Sequence, residues 1–297
     1  MSLAETILES VTQLPPFPAV VQRALQLVDD PKSSAQDVVD VVQYDQSITV
    51  NVLKLCNSAS VGLRRKVHSL RDALVLIGFN RLLEIILSQE STRLLHRPCK
   101  GYDLEGGELW RHSVACALLS DIISERLGRE ATPAHFTAAL LHDVGKMILS
   151  SFVEDYFEEI KRLTEGKTIS FVEAEKRVLG IDHAELGGRI TEHWEFPKAI
   201  VSAVRFHHTP FLTPEDHEAV HLIYLCDVVA LITGIGGGAD GLSYHAYGEV
   251  MKQSNLREKD VERFIVQLDD RFRRVEEMLN IPSFRSPQGP GDNKREG

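Results

Sequence analysis

Apolar residues recur at the three- and four-residue spacing of an α-helix through almost the whole chain, and the alternating Val, Ile and Thr runs with Asn-Gly turns that announce hairpins are missing. A chain patterned this way buries its apolar faces only by packing helix on helix, so the expected fold class is all-α. Residues 18–28, 34–44, 47–57 and 70–87 read as a first group of helices, separated by Asp29-Asp30-Pro31 and by residues 58–68. Their short links predict a compact helical bundle. Residues 96–107 hold one proline and three glycines without helical period, which sets a boundary between two lobes. The organisation expected is an N-terminal helical lobe over residues 1–102, a helical metal-binding lobe with C-terminal helices over 103–282, and a tail over 283–297. That tail is rich in Pro, Gly and charge and has little to bury, so disorder is expected.

In the second lobe a helix is expected over residues 108–127. Thr132 and Pro133 supply an N-cap and first-turn proline for the next, which is expected to run through His142 to about Phe152. Asp182 and Glu185 form a capping-box pattern that sets His183 in a first helical turn. Pro197 opens a helix ending near His207-His208. Residues 218–233 form a strongly apolar helix with Asp227 at its middle, closed by a glycine run.

Composition narrows the partners. A net charge of -10 repels a polyanion over most of the surface, and Arg64, Arg65 and Lys66 are too few to reverse it, so nucleic acid is disfavoured. The longest stretch without Asp, Glu, Lys or Arg, residues 10–22, carries three prolines and is too short for a bilayer span, and no leader pattern precedes Leu14. Cys56, Cys99, Cys116 and Cys226 have no paired spacing and read as reduced, buried thiols. A cytoplasmic protein without membrane contact is expected.

The sharpest chemical feature is His142-Asp143 inside Ala138-Ala139-Leu140-Leu141 and Val144-Gly145-Lys146-Met147-Ile148-Leu149. A carboxylate in such surroundings needs a counter-charge, hydrogen bonds or a cation; the alternative is an Asp on one solvated helix edge with His142 merely packed. Asp227 repeats the problem between Leu222-Ile223-Tyr224-Leu225-Cys226 and Val228-Val229-Ala230-Leu231-Ile232, where a Lys, an Arg or Tyr224 could also serve it. His207-His208 diverge by about a third of a turn, so adjacent rings can reach two neighbouring points. His112 and His183 alone would be ordinary histidines. Their order with the others, His, His-Asp, His, His-His, Asp on successive helices, points to one metal-binding constellation. Imidazole and carboxylate donors without thiolate suit divalent Fe, Mn, Ni or Zn. His193, His217, His221 and His245 lack this logic; His135, two turns before His142 on the same helical face, reads either as a support behind the ligands or as a packed histidine. Gly236-Gly237-Gly238 is no phosphate loop, since no strand precedes it.

The order and spacing of His112, His142-Asp143, His183, His207-His208 and Asp227 resemble the ligand pattern of HD-domain phosphohydrolases, most closely the branch with HD-GYP phosphodiesterases. The first lobe is similar to the opening of HDOD domains in Leu14-Pro15-Pro16-Phe17-Pro18, Asp45-Gln46-Ser47-Ile48, Asn57-Ser58-Ala59, Ser69-Leu70-Arg71-Asp72-Ala73 and Ile77-Gly78. The resemblance covers about residues 12 to 230. It implies an HDOD-type signal-transduction or regulatory protein that retains an HD-type site for two divalent metals, with a signalling partner met by the N-terminal lobe. Asp143 would bridge the metals, His112, His142 and Asp227 serving one and His183, His207 and His208 the other. The alternative it implies is an active phosphohydrolase on a nucleotide or cyclic nucleotide, with Asp143 catalytic. Lys146 then either contacts a phosphate of the small molecule or stands as an exposed lysine. The Gly-Tyr-Pro segment of HD-GYP proteins is replaced by His207-His208-Thr209-Pro210, so no link to their cyclic dinucleotide carries over.

Overall fold

The structure is a computed structural model that describes residues 2–14, 17–30, 32–58, 66–165, 169–213, 217–236, 238–239 and 246–279. The expected tail over 283–297, Arg64 and Arg65 lie outside the described residues. In chain order the helices are α1 (Leu3–Thr12), α2 (Ala19–Asp29), α3 (Ala35–Val42), α4 (Gln46–Cys56), α5 (Leu70–Ile77) and α6 (Phe79–Leu95). After a 3₁₀ turn at Lys100–Tyr102 come α7 (Glu108–Arg126), α8 (Pro133–Leu141), α9 (Lys146–Asp155), α10 (Phe157–Thr164) and α11 (Phe171–Leu179). The chain continues through α12 (His183–His193), α13 (Lys198–Phe206), α14 (His217–Ile232), α15 (Tyr247–Gln253) and α16 (Glu258–Leu279). No strand occurs among the described residues beyond one isolated bridge between Cys99 and Leu104. The all-α expectation holds.

Local chemistry starts these helices. Ser2, Ser34 and Ser170 form reciprocal capping boxes with Glu5, Asp37 and Glu173, and Asp45, Ser69, Thr132 and Asp182 each accept an amide of the first turn. At Asp182 the partner half of the expected box is diverted: Glu185 instead meets Arg189 at 2.9 Å and Arg205 at 3.5 Å. The single helix expected over 70–87 is divided at Gly78, where the backbone turns through φ +79° after the Gly78 amide closes α5 on Leu74.

α7 is the axis of the molecule. Fourteen of its residues are buried, which leaves no polar face and marks a helix enclosed on all sides. α6, α8, α14 and α16 pack around it, and α12 and α13 pair beside α8. Buried residues from α1 to α16 join one contiguous apolar cluster. Phe17 connects the first helices to the later ones, its ring centroid 5.3 Å from Trp194 and 5.2 Å from Phe196. The segment Pro133–Asp155 is apolar and long enough by composition to cross a membrane, yet 78% of its most apolar window is buried inside the protein.

Candidate metal centre

The site begins with a departure from the expected secondary structure. α8 does not run on to Phe152; it ends at Leu141, and His142 to Gly145 form a turn before α9. Amide bonds tighten to the three-residue pattern, with Val144 donating to Leu141 O at 3.0 Å and Lys146 to Asp143 O at 3.0 Å. Side chains three apart eclipse in such a turn. Lys146 Nζ accordingly donates to Asp143 Oδ2 at 2.7 Å, and Lys146 is buried at 4% exposure, which removes the reading of an exposed lysine. The turn lies against the start of α12: a Cβ on Gly145 would stand 2.0 Å from His183 O. Only a residue without a side chain lets these backbones approach so closely.

Around this turn the fold brings together all seven residues singled out in the sequence. α7 supplies His112, α12 His183, the end of α13 His207 and His208, and α14 Asp227. His112 Nε2 is 3.0 Å from Asp227 Oδ1 and 3.7 Å from Asp143 Oδ2. His142 Nε2 is 3.4 Å from Asp143 Oδ2 and 3.8 Å from Asp227 Oδ1. On the other side, Asp143 Oδ1 is 3.4 Å from His183 Nε2 and 3.7 Å from His207 Nε2. His183 Nε2 and His208 Nε2 stand 2.8 Å apart. Two groups of donor atoms result, each with all atoms within 4.8 Å of one another: His112, Cys116, His142 and Asp227, and Asp143, His183, His207 and His208. Neither includes His135, His193, His217 or His221, and His245 lies outside the described residues.

The ring orientations have a common cause. His142 Nδ1 lies 2.7 Å from Ala139 O, His207 Nδ1 2.7 Å from Val204 O and His112 Nδ1 3.0 Å from Ile235 O. A carbonyl only accepts, so each Nδ1 carries a proton and each ring turns its Nε2 inward. Glu175 does the same for His183, accepting from Nδ1 at 2.8 Å and from the backbone amide at 3.1 Å. The Nε2 atoms of His142 and His207, both fully buried, find no hydrogen-bond partner. Unpartnered acceptors facing carboxylate oxygens are costly in an apolar interior and fit a shared cation.

Two buried carboxylates dominate the charge of the site. Burial raises the Asp143 carboxyl, but Lys146 and His142 outweigh it and hold the group well below the ordinary carboxylate range. Burial is likewise overridden at Asp227, first by the hydrogen bond from His112, so it too is held far below the ordinary carboxylate range. Burial and then His142 press the His207 ring down to about 3, which keeps it a neutral donor. His183 is opposed by burial but pushed up to about 9 by Glu175. Burial raises the Cys116 thiol to about 12, so it is neutral unless a cation lies beside it.

The sequence reading missed several supporting groups. Glu175 is wholly buried and also accepts from Tyr102 Oη; its signal was a carboxylate on the apolar face of α11 with Phe171, Ala174 and Leu179. Tyr102 in turn lies under Lys146, whose Nζ is 5.4 Å from the ring centroid. The glycine run after α14 has a packing role: a Cβ on Gly236 would stand 2.5 Å from His112 Cβ, so the loop can close over that histidine and present Ile235 O to it.

The HDOD domain model matches residues 14–210. A Treponema pallidum (strain Nichols) protein, described only as uncharacterized, is 24% identical over 217 residues, which are 73% of this chain and 42% of that protein. The chain thus spans less than half the length of that relative. An HDOD domain protein of unknown function from Geobacter sulfurreducens superposes with a TM-score of 0.70 at 25% identity, covering 93% of this chain and 95% of the other. A "putative phosphohydrolase" from Shewanella amazonensis SB2B shares the fold, with a TM-score of 0.67 at 20% identity over 92% of this chain and 97% of its own.

Proposed function

The chain belongs to the HDOD domain family, and on that premise we propose that it is a signal-transducing regulatory module whose HD-type centre binds two divalent transition-metal ions. The observation that carries the metal reading is the placement of Asp143, with Oδ2 toward His112 and His142 and Oδ1 toward His183 and His207. One oxygen toward each group of rings is the disposition of a bridging carboxylate. His112, His142 and Asp227 would hold one ion, and His183, His207 and His208 the other. The imidazole and carboxylate donors suit iron, manganese, nickel or zinc.

Burial favours a module over an enzyme. Six of the seven side chains belong to residues at most 2% exposed, and only His208 is partly open to the surface. A phosphoester would have to reach between groups that the helices enclose. Exposed Tyr44, Val50 and Val75 among the first helices offer apolar contact to a protein partner.

A second reading, a metal-dependent phosphohydrolase, draws support from Lys146, a buried cation beside the bridging carboxylate, and from the description of the Shewanella relative. Bound ions in such a pair would supply charge neutralisation for a phosphoryl group, and Lys146 would add to it by exchanging Asp143 for a phosphate oxygen. The two readings separate in one screen. Full-length protein loaded with Mn, Fe, Ni or Zn is expected to hydrolyse none of a panel of cyclic dinucleotides, mononucleotides and guanosine tetraphosphate. Turnover of any of these that disappears in a folded Asp143→Ala variant would replace the module reading with the enzyme reading.

A further inference from the structure

We propose that Cys116 is a further protein ligand of the ion held by His112, His142, Asp227 and one oxygen of the bridging Asp143, and that its sulfur makes this half of the centre selective for thiophilic ions such as zinc, iron(II) or cobalt(II) over manganese and magnesium. The inference rests on the two-metal reading and adds to it a donor that the imidazole and carboxylate pattern does not contain.

Its basis is positional. Cys116 follows His112 by four residues on α7, so the two side chains leave the helix on one face. Cys116 Sγ lies 3.6 Å from His112 Nε2. A tetrahedral ion with a nitrogen ligand at about 2.05 Å and a sulfur ligand at about 2.3 Å separates the two by about 3.6 Å. The nitrogen and oxygen edges of the same figure would be about 3.3 Å, and the separations of Asp227 Oδ1 from the two rings, 3.0 and 3.8 Å, fall on either side of that value. Four donor atoms from three helical segments therefore lie at nearly the spacing of ligands on one ion, with Asp143 Oδ2 beside the two rings as a fifth.

Proton accounting leads to the same place independently. His142 Nε2 is fully buried, has no hydrogen-bond partner and points into this group, while its Nδ1 is committed to Ala139 O. His112 Nδ1 is committed to Ile235 O, so its Nε2 is the atom turned toward Asp227, at 3.0 Å, and Cys116, at 3.6 Å. No hydrogen bond within the group satisfies His142 Nε2. A single cation can, with the thiol giving up its proton on ligation. Thiolate is the softest donor in the set, and soft donors shift preference toward zinc and away from manganese and magnesium, which favour oxygen.

The test uses the full chain loaded anaerobically with cobalt(II). Wild-type protein is expected to show a near-ultraviolet sulfur-to-cobalt charge-transfer band that is lost in Cys116→Ser and kept in Cys226→Ala. Cys116→Ser should also lose zinc to a competing chelator at a concentration about tenfold lower or less, since disturbing even an outer-shell partner costs 10- to 100-fold in affinity. Should Cys116→Ser not fold, X-ray absorption of zinc-loaded wild type decides instead, through a sulfur neighbour at about 2.3 Å. Cobalt bound without the band, a band that survives Cys116→Ser, or zinc with no sulfur neighbour each overturns the role of Cys116 while leaving the two-metal reading standing. A wild-type chain that takes up no cobalt at all overturns both.

Discussion

Four of the five histidines of the centre, His112, His142, His183 and His207, are held by one nitrogen and offer the other, and the quality of the offer depends on what holds it. Three rings are anchored by backbone carbonyls, which no substitution removes; His183 is anchored by the Glu175 side chain. Glu175→Ala should therefore weaken metal binding at the half served by His183, His207 and His208 by roughly 10- to 100-fold, with the other half unchanged. Chelator competition resolves the two halves, and equal retention in both would show that His183 needs no anchor. The seven principal residues were legible in the sequence because ionised groups set among leucines demand a partner. Glu175 was not, because Lys176 and Arg177 beside it give α11 the look of a solvated helix. Cys116 was hidden for another reason: a cysteine on a buried helix face is as ordinary as an alanine until the ring four residues away is seen to turn toward it.

At the level of elements, the caps and apolar periods visible in the sequence located the described helices around the site, while the interruption at residues 142–145 escaped. Apolar residues continue in phase through it, and backbone angles at His142 and Gly145 stay helical, so only the tightened hydrogen bonds mark the break. That turn joins Asp143 to Lys146 and lets α12 approach. Gly145→Ala should accordingly destabilise the fold by about 1–3 kcal/mol, the usual cost of overpacking, because the obstacle is the rigid carbonyl of His183 rather than a flexible side chain. Thermal unfolding would measure it, and an unchanged midpoint would mean that α9 and α12 separate freely. α7 carries a second testable element. Asp121 is pushed up to about 7 by burial and by Glu84. With the folded value above the unfolded one, its contribution to stability is fully present below about pH 4 and is lost as pH rises through about 7. Asp121→Asn, which removes the late ionisation, should gain on wild type between pH 5 and 8 by about 1–2 kcal/mol after solvent screening. Denaturation midpoints across that range test this; a stability difference independent of pH would contradict it.

Across the whole molecule, one contiguous core joins the helices before and after the 96–107 segment, with Phe17 seated on Trp194 and Phe196. The sequence made the all-helical class and the ordered run of His and Asp readable, since both depend on spacing along the chain. It could not disclose how α7, α8, α12, α13 and α14 converge, because that depends on side-chain packing between distant segments. The convergence sets Asp143 between two groups of rings and encloses them. Ions bound only by the folded state should also stabilise it, by about 2.7 kcal/mol when present at a hundred times their dissociation constant. The most direct measurement is the metal content of the full chain after reconstitution with iron, manganese, nickel or zinc and extensive dialysis. About two ions per chain are expected, as seven converging ligands exceed the three or four that a mononuclear site takes from its protein, with that content falling in Asp143→Ala. Protein that stays metal-free under every one of these conditions while remaining folded would show that the enclosed histidines and aspartates are not a metal centre.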